Sequence, residues 1–200
     1  MLFVRFLQIL PIALGVSAAT DAYPSSRYPV MRNDVQCPEG YVSFVHNSYT
    51  YLAPLHKFKD ITKSFFDIAW YSGTIVYNST GTDNVPGATR AGFYSGGWFN
   101  ETLTAYISHS DTLEYTFHGQ EAAYIAPTGD KSLFFGYTET MRIESICDGQ
   151  ATYIDLITYM CSDNQTLGYS SWYNLHMVTF EVLAANVSAL VMAGDCPCAF

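Results

Sequence analysis

Residues Ser132 to Cys161 read SLFFGYTETMRIESICDGQATYIDLITYMC. Two long runs of β-branched and aromatic residues meet at Asp148-Gly149, a pair strongly favoured in two-residue turns between antiparallel strands. Strands are expected over 132–147 and 150–161. Side chains alternate across a strand, so Leu133, Phe135, Tyr137, Met141 and Ile143 share one apolar face. Glu139 has the same parity and is the one acid set into that face.

Outward from this hairpin, the same pattern repeats. Strand-like segments cover Thr74–Asn78, Ala88–Tyr94, Trp98–Ser108 and Thr112–Gly119. They are broken at Gly81-Thr82-Asp83-Asn84, Ser95-Gly96-Gly97 and Ser110-Asp111, and Pro127-Thr128-Gly129-Asp130 precedes the hairpin. Tyr41 to Thr50 reads as a first strand. Leu55 to Trp70 reads as helix, because Phe58, Ile61, Phe65, Phe66, Ile68 and Ala69 recur every three or four residues between Pro54 and Gly73. Ser170 or Ser171 can cap a long helix over Trp172–Ala193. Its apolar face carries Trp172, Tyr173, Met177, Phe180, Ala184, Val187 and Val191. Seven antiparallel strands and one long terminal helix make an α+β domain over 41–195, with the sheet curving around the helix.

The N-terminus sets the compartment. Arg5 and the apolar run Phe6–Val16, ended by small residues at 16–19, read as a secretory signal over 1–19. The run is shorter than the roughly 20 apolar residues a membrane span needs. Residues 20–40, with Pro24, Pro29 and Pro38, read as an extended arm, and 196–200 as a tail. The apolar stretch Val182–Ala193 is stopped by Gly194-Asp195-Cys196-Pro197-Cys198, unlike a removable lipid-anchor tail. The formal net charge is −9, and loss of Arg5 with the signal makes it one unit more negative. Such a chain repels nucleic acid and anionic membranes. No nucleophile elbow, zinc-protease helix, phosphate loop or dinucleotide fingerprint occurs, so no cofactor is expected. Cys196-Pro197-Cys198 lacks the further ligands a metal site needs.

Four sequons, at Asn78, Asn100, Asn164 and Asn186, fit N-glycosylation of a secreted chain. A sugar also marks the wet face of its strand. With Asn100 outward, Phe99, Glu101, Leu103, Ala105 and Ile107 point inward. With Asn78 outward, Ile75 and Tyr77 do so. Leu113, Tyr115 and Phe117 continue the inward face. Glu101 on that face needs a partner or must stay neutral. Arg90, one strand earlier, is the natural one. The pair reads as a structural ion pair at a cavity edge, a polar anchor for a ligand head group, or general acid–base chemistry. His176, near the apolar face of the last helix, reads as a hydrogen-bonded core residue. With 16 Tyr and 13 Phe, the aromatic side chains can fill a core or line a cavity.

The element order resembles the helix-grip fold of the START-like superfamily, which includes lipid-transfer domains, birch-pollen-type allergens and polyketide cyclases. A local motif carries the likeness: Val85-Pro86-Gly87-Ala88-Thr89-Arg90, then Gly96-Gly97-Trp98-Phe99-Asn100-Glu101-Thr102-Leu103, then Leu113-Glu114-Tyr115-Thr116-Phe117. The resemblance covers roughly residues 41–193. It departs from most members in its sequons, cysteines and signal. It implies an apolar cavity between sheet and last helix that holds a lipid or other hydrophobic small molecule without turnover. The expected lining is Phe99, Glu101, Leu103, Tyr115, Phe117, Phe135, Tyr137, Met141, Trp172, Tyr173, Met177 and Phe180. The alternative functions are a polyketide cyclase or dehydratase using Glu101, Arg90, Tyr137 and His176, and an extracellular interaction or effector protein using the fold as scaffold.

Five cysteines outside a reducing compartment allow two disulfides. Eleven strand residues, roughly 35 Å, separate Gln150 from Cys161, so the hairpin excludes Cys147–Cys161. The resembled fold pairs its first and last strands, which implies Cys37–Cys161. Its returning helix implies Cys147 with Cys196 or Cys198.

Overall fold

The computed structural model describes residues 37, 42–71, 74–94, 97–126 and 128–197. The expected signal, and all of the expected arm except Cys37, lie outside these residues. Among them the order is β1 (Val42–Leu52), α1 (Leu55–Thr62), β2 (Ile75–Thr80), β3 (Thr89–Tyr94), β4 (Gly97–Ser108), β5 (Thr112–Gly119), β6 (Ala122–Ile125), β7 (Lys131–Ile146), β8 (Ala151–Ser162), α2 (Gln165–Asn186) and β9 (Leu190–Val191). The strands form one antiparallel sheet in the order β2-β3-β4-β5-β7-β8-β1-β9, with β6 paired to β7. The long α2 packs against β1, β8 and β7. This is the helix-grip α+β architecture expected from the sequence. Beneath the helix the core gathers Phe58, Leu103, Ile143, Leu156, Phe180 and Leu183, all fully buried.

The β7–β8 hairpin closes at Ile146↔Ala151. Its loop is four residues rather than two, with Cys147, Asp148 and Gly149 all at positive φ. Cys147 is joined to Cys196, and Cys37 to Cys161. Because β1 runs antiparallel to β8, with Val42 opposite Cys161, Cys37 just ahead of β1 meets the end of β8.

Several elements differ from the sequence reading. Two short strands, β6 and β9, join the seven expected. The first helix ends at Thr62, because nonlocal bonds capture the next residues. Ser64 Oγ donates to Asp83 Oδ2 (2.7 Å), Phe65 N to Asn84 Oδ1 (2.9 Å) and Phe66 N to Asp83 Oδ1 (3.0 Å). The last helix begins earlier, at Gln165, because Asn164 caps it by accepting from Leu167 N at 3.0 Å. Gly168 then allows the first turn to lie against Ser162 and Met160.

Irregular register overturns the alternation at three places. A shift between Val76 and Asn78 leaves Ile75 and Tyr77 exposed, not inward. One between Leu103 and Ala105 turns Ile107 outward and leaves Ala105 half-buried. One between Phe134 and Gly136 buries Phe134 in place of Phe135 and Leu133. Each extra residue inverts the faces beyond it. On the outer face of β2–β4, Ile75, Phe93 and Trp98 form one exposed cross-strand row. Asn78, Ala91 and Asn100 form the next outward row.

Candidate ligand cavity

One cross-strand row builds the first polar group of the site. Arg90 on β3 lies opposite Glu101 on β4, Glu101 opposite Gly119 on β5, and Gly119 opposite Tyr137 on β7. Gly119 brings no side chain, so the Tyr137 ring lies across β5. A Cβ built on Gly119 would sit 2.0 Å from that ring. The Tyr137 hydroxyl thereby donates to Glu101 Oε1 at 2.5 Å. Arg90 Nε donates to Glu101 Oε2 at 2.6 Å, and Arg90 Nη1 to the Phe65 carbonyl at 2.6 Å. The guanidinium lies 4.2 Å from the Phe65 ring centre and 4.7 Å from that of Phe117. All three polar residues are buried. Burial, and then the adjacent Glu101 carboxyl, push the Tyr137 phenol well above its ordinary range, so it stays protonated and donates.

A second network sits one row over. Glu139 faces Phe117 on β5 and Thr158 on β8. Its Oε2 accepts from Thr158 Oγ1 and lies 3.1 Å from His176 Nε2. The other His176 nitrogen lies 3.0 Å from Asn47 Oδ1 on β1. These bonds tie the middle of α2 to three strands, and His176 is fully buried.

Both networks border one cavity between the sheet, α2 and the loop after α1. About 90 Å³ of it is open to the centre of a water-sized molecule, room for several waters or one small guest. Its wall is mostly aromatic and aliphatic, the usual character of a small-molecule pocket. Trp70 and Trp172 line it. Two polar atoms at this wall are closed off from solvent and, among the described residues, have no hydrogen-bond partner: the Tyr71 hydroxyl and Trp70 Nε1. Tyr71 as a residue is only half-buried, but its hydroxyl is enclosed. Burial, with Glu139 and Glu101 close by, raises its phenol well above the ordinary value.

Of the expected lining, Phe99, Glu101, Tyr115, Phe117, Tyr137, Met141 and Trp172 border the cavity. Leu103 and Phe180 are packed into the core instead. Met177 is partly buried and lies outside the lining. Phe135 and Tyr173 are exposed, Phe135 through the register shift before Gly136 and Tyr173 because it falls on the outer side of α2. Arg90 joins Glu101 and Tyr137 at the wall, whereas His176 stands behind Glu139. The sequence reading missed Trp70, Tyr71, Phe134, Leu175 and the β6 residues Ala122 to Tyr124. The Trp70-Tyr71 pair just before Gly73 was the one available signal.

No family model matches the chain, and no curated protein matches it. Solved structures do. A protein of Nitrosospira multiformis is 18% identical at a TM-score of 0.52, over 72% of this chain and 95% of its own. XoxI of Bacillus cereus is 10% identical at a TM-score of 0.53, over 73% and 96%. Ara h 8.0201 aligns over 74% and 98% at 13% identity, with a TM-score of 0.49. At such identities the first two show the fold alone. Fold and site together define a helix-grip protein with an aromatic-walled cavity under its long helix.

Proposed function

We propose that this protein is a secreted, START-like binding protein that holds a small hydrophobic molecule in the cavity without turning it over. The observation that carries this reading is the aromatic wall broken only by a few polar groups, most of them already bonded to protein. Such a wall gains by taking apolar surface out of water. Export is supported by the signal-like N-terminus, by two disulfides, and by Asn78, Asn164 and Asn186 lying exposed and Asn100 half-buried. No helix among the described residues is long and apolar enough to cross a membrane. The cyclase-like reading has in its favour that Arg90, Glu101 and Tyr137 meet at one wall. It is the weaker one, because each Glu101 oxygen already accepts a hydrogen bond and His176 does not reach the wall.

Native mass spectrometry of protein secreted by a eukaryotic host tests the binding reading. It should find an added small-molecule mass that organic extraction removes. A Met141→Trp variant, which fills the cavity, should lose that mass while staying folded. Protein that carries no guest, and takes up no apolar compound when offered one, would sink the proposal.

A further inference from the structure

The binding reading leaves two donors at the wall unexplained. Trp70 Nε1–H can only donate. The Tyr71 phenol is kept in its protonated form by burial, so it too presents a proton. Neither has a partner among the described residues, and both atoms are shut off from solvent. Buried polar groups in folded proteins are almost always bonded, and one left unpaired is costly. The two residues are consecutive, and their rings meet edge to face with centres 5.4 Å apart. The donors therefore come from one short segment, and both residues line the cavity.

The remaining wall chemistry narrows what can meet them. Arg90 is the one basic residue of the described lining. It is already committed to Glu101, to the Phe65 carbonyl and to two aromatic faces. Glu101 and Glu139 add two carboxyl groups to the same wall. An anionic guest would meet these acids with the guanidinium already engaged. A pure hydrocarbon would leave both donors unpaired. The open space of about 90 Å³ limits the enclosed part of the guest to a small body.

Resting on the binding reading above, we infer that the guest is a neutral, small apolar molecule with an acceptor oxygen, a carbonyl, that receives the Tyr71 hydroxyl and Trp70 Nε1–H. Its apolar body lies against Phe99, Phe134 and Trp172, and its oxygen faces the loop after α1.

Matched probes of one size test this on the intact, disulfide-bonded protein after extraction of any guest: acetophenone, ethylbenzene and benzoate, titrated by ligand-observed NMR. Acetophenone should bind at least about ten-fold more tightly than ethylbenzene, the scale of a satisfied buried donor, and benzoate should bind worst. Tyr71→Phe keeps the ring. It should cut the acetophenone preference to about two- or three-fold, leaving Trp70 as the remaining donor, with ethylbenzene affinity unchanged. Trp70→Phe should act likewise, so loss of one variant to misfolding leaves the other. Equal binding of acetophenone and ethylbenzene overturns this inference and leaves the binding reading standing. Benzoate as the best ligand overturns the neutral assignment. No binding of any probe overturns both.

Discussion

Gly119 matters through what it lacks. In the row Arg90, Glu101, Gly119, Tyr137 it is the only position without a side chain, and the Tyr137 ring fills that gap to reach Glu101. Gly119→Ala should therefore destabilise the fold by about 1–3 kcal/mol through overpacking, read from urea denaturation. In a Tyr137→Leu background, which opens the space, the same substitution should cost less than about 1 kcal/mol. An equal penalty in both backgrounds would mean that Gly119 serves the strand backbone and not the phenol. The pairing of Arg90 with Glu101 was legible in the sequence, because alternation isolates an acid on an apolar face with a base one strand earlier. Tyr137 was legible as inward. Their junction was not, since it depends on the β4–β5 and β5–β7 registers that bring Gly119 between them.

At the scale of single elements, β1 carries its own pH sensitivity. Tyr49 and Tyr51 stack on each other, and Tyr51 donates to the Phe180 carbonyl of α2. Burial raises both phenols to about 12 from an ordinary 10. The folded chain thus holds these protons more tightly than the unfolded one. Their contribution to stability is whole below pH 10 and is lost as pH rises from 10 through 12. Circular dichroism during an alkaline titration should show unfolding in that window, with phenolate absorbance appearing alongside it. In Tyr51→Phe the loss of stability with pH should be shallower; an unchanged slope would show that Tyr51 does not couple β1 to α2. Elements also show where reading by period fails. Phe58, Phe65 and Ile68 keep helical spacing, yet the chain leaves the helix after Thr62 because Asp83 and Asn84 bind its next amides. That exit carries Trp70 and Tyr71 to the cavity. Likewise Ile107 was misassigned because one added residue before Ala105 inverted the faces, and Phe135 because it is itself the added residue.

Across the whole molecule, two covalent ties brace the sheet at opposite ends. Cys37–Cys161 spans 124 residues, and Cys147–Cys196 spans 49. By loop-closure entropy each should stabilise the fold by about 4–5 kcal/mol, the longer one slightly more. Replacing either pair with serine should lower stability on that scale in denaturant titrations. Peptide mapping should recover the two pairs, and a Cys147–Cys161 peptide would contradict the hairpin itself. The last consequence lies on the outer face. β2 is an edge of the sheet, and Asn78 on it shares a row with Asn100 two strands inward, about 10 Å away. Beside them lie the exposed Ile75, Phe93 and Trp98, with Tyr77 stacked on Trp98. An edge with no partner strand among the described residues, beside exposed aromatics, invites another chain to add its own strand. Glycosylation of Asn78 and Asn100, were it to occur, would set a bulky, hydrated fence along the border. Such a fence would block another chain from pairing with β2.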